Sequence, residues 1–135
     1  MKKAILILSV LFITRLSVSA QSAVALFKPL YGGDEHYAFA TASSLDDAKE
    51  KALSEVKSVV DQKVGSRATG QQFIYTYSNR KGFYAIGRGK DQYGHYWHFE
   101  AALGYSSESA AKRYVLDRLA ARGLYDTEIY ASGED

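Results

Sequence analysis

Apolar residues recur along this chain with two periods. Ala48, Ala52, Val56, Val59 and Val60 fall at helical spacing, and so do Ala111, Val115, Leu116 and Leu119. A serine pair with acids precedes each stripe, Ser43-Ser44 with Asp46-Asp47 and Ser106-Ser107 with Glu108. These supply side-chain oxygens for the unpaired amides of a helix start and negative charge for its dipole. Gly65 and Arg122-Gly123 stand where each helix would stop. Alternation with many aromatics predicts strands over His36 to Ala42, Gln72 to Ser78, Phe83 to Arg88 and His95 to Leu103, with shorter ones at Ala23 to Lys28 and Thr127 to Ala131. Asn79 to Gly82 and Gly89 to Gly94 read as turns. The predicted order is strand, strand, helix, three strands, helix, strand.

That order contains a repeat. Ser43 to Lys49 superposes on Ser106 to Lys112 at an offset of 63, which also pairs Ala52 with Val115, Leu53 with Leu116 and Val56 with Leu119. The pattern favours an α+β fold with two helices packed on one face of a mostly antiparallel sheet. It would be a variant of the ferredoxin-like βαββαβ plan, with an extra N-terminal strand, a third strand between the helices and an internal duplication. From Ala52 to Arg122, the run of helix, three strands and helix also resembles the layout of double-stranded-RNA-binding domains. Where that family's second helix opens with basic residues facing phosphates, this chain has Glu108 and Ser109, and no nucleic-acid partner is expected.

The N-terminal pattern differs from the rest. Lys2 and Lys3 precede the apolar run Ala4 to Ile13, and Ser17-Val18-Ser19-Ala20 offers small residues for cleavage. Residues 1–20 therefore read as a secretory signal peptide of bacterial type and residues 21–135 as a single domain, secreted or periplasmic after cleavage near Ala20, with no transmembrane segment left. Loss of Lys2, Lys3 and Arg15 takes the 17 Lys and Arg to 14, against 15 Asp and Glu. The charges that remain are segregated: Lys63, Arg67, Arg80, Lys81, Arg88 and Lys90 lie between Asp61 and Asp91 without an acid among them. The chain has no cysteine, which excludes disulfides, thiolate metal sites, thiol nucleophiles and a lipid on an N-terminal Cys.

The catalytic signals are sparse. His95 and His98 are three apart on a predicted strand, so they point to opposite faces and cannot readily share a metal. His98 and Glu100 share a face, the one pair from which hydrolase chemistry could be built. Gly87-Arg88-Gly89-Lys90 lacks the ending of a phosphate-cradling loop and reads as a glycine-rich hairpin connection. No cofactor or metal site is expected, and the serine pairs are accounted for by capping.

Tyrosine stands out, with 11 in the chain and most of them near predicted strands. A helix-free sheet face that shows tyrosines beside Arg and Lys would combine large apolar area with charge. The expected site is Arg80, Lys81, Tyr84, Arg88, Lys90, Tyr96 and His98. The expected function is a non-enzymatic binding module for an anionic envelope polymer or an acidic protein surface. The alternatives are a self-associating structural or envelope-maintenance protein, using an open sheet edge to form a homo-oligomer, and the His98/Glu100 hydrolase.

Overall fold

The structure, a computed structural model, describes residues 20–135. Almost all of the expected signal peptide lies outside the described residues. Both helices start on a serine oxygen: Ser44 accepts the Asp47 amide at 3.2 Å to open α1 (Leu45–Lys63), and Ser107 accepts the Ala110 amide at 3.1 Å to open α2 (Glu108–Ala121). The strands are β1 (Gln21–Pro29), β2 (His36–Ala42), β3 (Gly70–Ser78), β4 (Phe83–Lys90), β5 (Trp97–Tyr105) and β6 (Tyr125–Glu134).

The class is α+β, and the arrangement of its layers differs from the expected one. The strands form two antiparallel three-stranded sheets, ordered β2-β1-β3 and β5-β4-β6, where a single sheet was predicted. α1 covers the outer face of the first sheet through Ala48, Ala52, Val56 and Val60, packed on Ala23, Ala25, Ala38 and Ala40. α2 covers the outer face of the second through Ala111, Val115 and Leu119, packed on Ala85 and Ala102. The inner faces meet through Val24, Leu26, Ile86, Phe99, Ala101 and Leu103. The result is four layers, helix, sheet, sheet, helix.

The reason lies in β1, where Ser22 to Phe27 are all buried, so this strand has no solvent face. A strand buried on both sides needs two covers, and one helix supplies only one of them. Tyrosines expected on a solvent face instead fill the space between sheets: Tyr84 stacks on Phe39 at 4.3 Å, and Tyr37 packs on Phe99 at 5.0 Å. The RNA-binding layout fails for the same reason, because β3 pairs with β1 and leaves β4 and β5 to the other sheet. Leu116, expected in the helix stripe, is exposed.

Each half of the chain is one ββαβ unit with its first strand central. The correspondence extends to irregularities. The β1–β3 ladder shifts register after Val24 and leaves Tyr75 as the extra residue; the β4–β6 ladder shifts after Ile86 and leaves Tyr130. Matching Val24 to Ile86 also matches Lys28 to Lys90, Tyr31 to Tyr93, Gly32 to Gly94, His36 to His98 and Ala38 to Glu100, an offset of 62 in the strands beside 63 in the helices. β3 lies against β5, and Tyr37 of β2 meets Tyr130 of β6 edge-on at 5.8 Å. The β1–β2 and β4–β5 hairpin tips come to one end, where the Tyr96 ring lies beside Gly32 and Asp34 accepts the Trp97 amide.

Candidate functional site

The four-layer arrangement has two side seams, each with a cleft where an edge strand, the last turn of its helix and the bulge tyrosine of the opposite sheet converge. The first lies beside β2. Tyr37 and Phe99 form its floor, Val59 and Lys63 from α1 one wall, and Arg88, Trp97 and Tyr130 from the second sheet the other, around a volume of about 300 Å³.

Arg88 dominates this cleft. Its guanidinium sits 4.0 Å from the Trp97 ring and 4.6 Å from the Tyr130 ring, and its Nε donates to Glu128 at 2.6 Å. Lys90 lies 4.9 Å from the Trp97 ring. Such stacking fixes a flexible cation over a flat apolar surface. The acids at the cleft are already engaged. Asp34 accepts the Trp97 amide at 2.8 Å, and buried Glu35 accepts the Phe99 amide at 3.0 Å. Among the described residues Lys63, in the cleft wall, and Lys90, beside the Trp97 ring, have no carboxylate within salt-bridge distance. His36 beside Lys63 is held below the usual histidine pKa, by burial first and by the Lys63 charge second, with Asp34 opposing. Burial likewise raises the Tyr37 hydroxyl, helped by Tyr130 and Tyr84.

The expected site residues do not gather in one place. Arg88, Lys90, Tyr96 and His98 lie toward the hairpin-tip end. Arg80 and Lys81 are exposed on the β3–β4 connection at the other end of β4, roughly 20 Å away at the rise of a strand. Tyr84 is wedged between the sheets against Phe39. Tyr96 is exposed on the second tip, and His98 stands 3.4 Å from Glu35. Asp91 organises that tip by accepting the His95 and Tyr93 amides at 3.1 Å each, and these bonds hold its carboxyl below the usual range. Trp97, Tyr130, Tyr37 and Lys63 are cleft residues that sequence reasoning missed; no local signal joins positions so far apart.

The hydrolase pair is split between two sets of partners. His98 approaches Glu35, whereas Glu100 accepts a hydrogen bond from the Tyr75 hydroxyl and another from Arg122 at 3.1 Å. Arg122 also donates to the Phe99 carbonyl at 3.0 Å. Both outward-facing backbone groups of Phe99 on edge strand β5 are thus taken by side chains. Gly87 and Gly89 are not a hairpin connection; they lie within β4 under α2 and the α2–β6 turn. Among the described residues no cluster of His, Asp or Glu could hold a metal ion, and no helix is long and apolar enough to cross a membrane. Comparison with protein-family models, curated proteins and solved structures gives no match to this chain.

Proposed function

We propose that the protein is an exported binding module whose β2-seam cleft takes an anionic ligand, an envelope polymer or an acidic protein segment. The observation that carries the reading is Arg88 stacked between Trp97 and Tyr130 in an open cleft, with Lys63 in its wall and Lys90 over the Trp97 ring, neither paired with a carboxylate among the described residues. An aromatic floor supplies area and the lysines supply the preference for negative charge. Export rests on residues 1–20, and it is supported by β1 opening at Gln21, directly after the expected cut. Mass spectrometry of exported protein should find Gln21 first, free or cyclised; retention of Met1 would overturn export with cleavage.

Trp97 is the single tryptophan, so its emission reports the cleft directly. Titration with polygalacturonate should change that emission, with affinity falling as salt rises. Poly-glutamate tests the acidic-protein arm in the same way. Charge reversal of Lys63 and Lys90 should weaken binding at least tenfold, while reversal of Arg80 and Lys81 at the far end should leave it unchanged. Equal loss from both pairs, or no salt dependence, refutes this placement of the site. One observation favours self-association as a second reading: Leu30, Tyr31, Tyr93 and Tyr96 are exposed together on the two tips. Sedimentation over a concentration series separates the two, since a ligand-binding monomer stays monomeric.

A further inference from the structure

The second seam repeats the first with different chemistry. Beside β5, Leu26, Lys28, Phe73, Tyr75, Arg118 and Arg122 line a cleft of about 300 Å³, with Glu100 at its base. The offsets of 62 in the strands and 63 in the helices give these positions counterparts. Where the first half has Ala38, the second has Glu100; where α1 has Val59 and Glu55, the second half has Arg122, the C-cap of α2, and Arg118.

The first half shows that this architecture forms with Ala38 and Val59 at these positions. A buried carboxylate and a partly exposed guanidinium are therefore not required by the fold. They also bring no general stability advantage, since desolvating the carboxylate offsets much of their attraction and apolar replacements are often neutral or better. Yet Glu100 is only 2 % exposed, with one oxygen on the Tyr75 hydroxyl and the other on Arg122 Nη1. The effect is to fix Arg122 at the mouth of the cleft. Only its Nη1 is used by protein acceptors, so the other N–H groups of its fork stay available. Among the described residues Lys28 and Arg118 pair with no carboxylate. Glu35, also at this cleft, is committed to the Phe99 amide. Phe73 and Phe99 add a flat apolar wall.

We infer that the β3–β5 seam is a second binding site, in which Lys28, Arg118 and Arg122 hold the head group of a small organic anion, a carboxylate or phosphate ester, while Phe73 and Phe99 contact its apolar part. Glu100 acts as a positioning residue through Arg122. The volume suits a ligand of about one ring and one charged group.

Phenyl phosphate and benzoate are the probes, with benzyl alcohol as the neutral control. Both anions should raise the melting temperature with concentration, as any ligand of the native state does, and should shift the backbone amide resonances of residues 73–75 and 118–122. Benzyl alcohol should do neither. Lys28→Ala with Arg118→Ala removes two exposed side chains, so the variant folds, and it should bind at least tenfold more weakly. Charge reversal at Lys63 and Lys90 should leave this binding intact. The proposal is overturned by absent shifts, by shifts confined to Trp97 and Tyr130, or by undiminished binding in the double variant. Trp97 emission reads the first cleft independently, so failure of one site is distinguishable from failure of the other.

Discussion

Gly87 lies beneath Val115 in the second half, where the first half has Ala25 and Ala52, so the strand has lost a methyl and the helix has gained two. A Cβ built on Gly87 falls inside the contact envelope of Val115 Cγ1 and lies 3.0 Å from Leu119 Cδ1 and 3.1 Å from the Glu128 carbonyl. Val115 and Leu119 are fully buried and cannot swing away into solvent. Gly87→Ala should therefore cost about 1–3 kcal/mol by overpacking, less about 0.5–1 kcal/mol regained because glycine is a poor strand residue. Val115→Ala alone removes two buried methyl groups at about 0.8 kcal/mol each plus a cavity, about 2–3 kcal/mol together. In the double variant the added methyl fills the space that Val115 vacates, which recreates the first-half pair. The double variant should then be more stable than the sum of the single effects by about 1–2 kcal/mol, read by urea unfolding at 25 °C. Effects that add to within about 0.5 kcal/mol, or a stabilising Gly87→Ala, would refute both the close approach of α2 to β4 and the equivalence of the two halves.

Three further outcomes follow from the same contacts. Ser44→Ala and Ser107→Ala should each cost about 1 kcal/mol in urea unfolding, and equal effects are expected because both cap the same position of equivalent helices. Val56→Asp and Leu119→Asp each bury an unpaired charge at a fully buried position and should destabilise by several kcal/mol; unchanged melting temperatures would remove the helix-on-sheet contacts. The Tyr75 hydroxyl is pushed up to about 12, by burial first and by its bond to Glu100 second. The folded chain then holds a proton that the unfolded chain, with its ordinary tyrosine pKa near 10, has released. That contribution is complete below about pH 10 and is lost as pH rises toward 12, so Tyr75→Phe should flatten the alkaline fall of the melting temperature; an identical fall in parent and variant would contradict it.

Helices and strand positions were legible because their signals are local. Ser44 and Ser107, the two apolar stripes and the aromatic strands each sit within a window of a dozen residues, and the observed ends move by only a few positions. The sheet arrangement was not legible, because strand pairing is decided by which faces must be covered. The run Ala23 to Phe27, apolar without alternation, was the available sign that β1 has no solvent face. The strand repeat was hidden by its offset: one extra residue within β5, at the register shift near its end where Gly104 has φ 70, turns 62 into 63. The clefts were least legible. Arg88, Trp97 and Tyr130 meet only because a bulge turns Tyr130 toward the opposite sheet, and a bulge leaves almost no trace in composition.

The repeated ββαβ unit makes the chain its own control, and the comparison separates what the fold requires from what each seam adds. Both halves keep the serine cap, the bulge tyrosine, the inner-face aromatic at Tyr37 or Phe99, and the Tyr-Gly hairpin tip. These shared features build the scaffold. Beside exchanges within the core, such as Phe27 against Gly89 and Phe39 against Ala101, the halves differ at the seams: Leu26 against Arg88, Glu35 against Trp97, Ala38 against Glu100, Val59 against Arg122. Three of these place a charge on one side only, and the fourth sets a carboxylate against a large aromatic ring. Random drift in a structural repeat would scatter over exposed positions, where substitution costs little. Here the exchanges include Glu35 and Glu100, two of the three buried polar side chains among the described residues, and both hold groups that face a cleft. Where one half keeps Leu26, Ala38 or Val59 the other carries a charge, so that each seam combines charged side chains with aromatic rings, and the two seams are therefore the surfaces on which this chain's chemistry differs from its architecture.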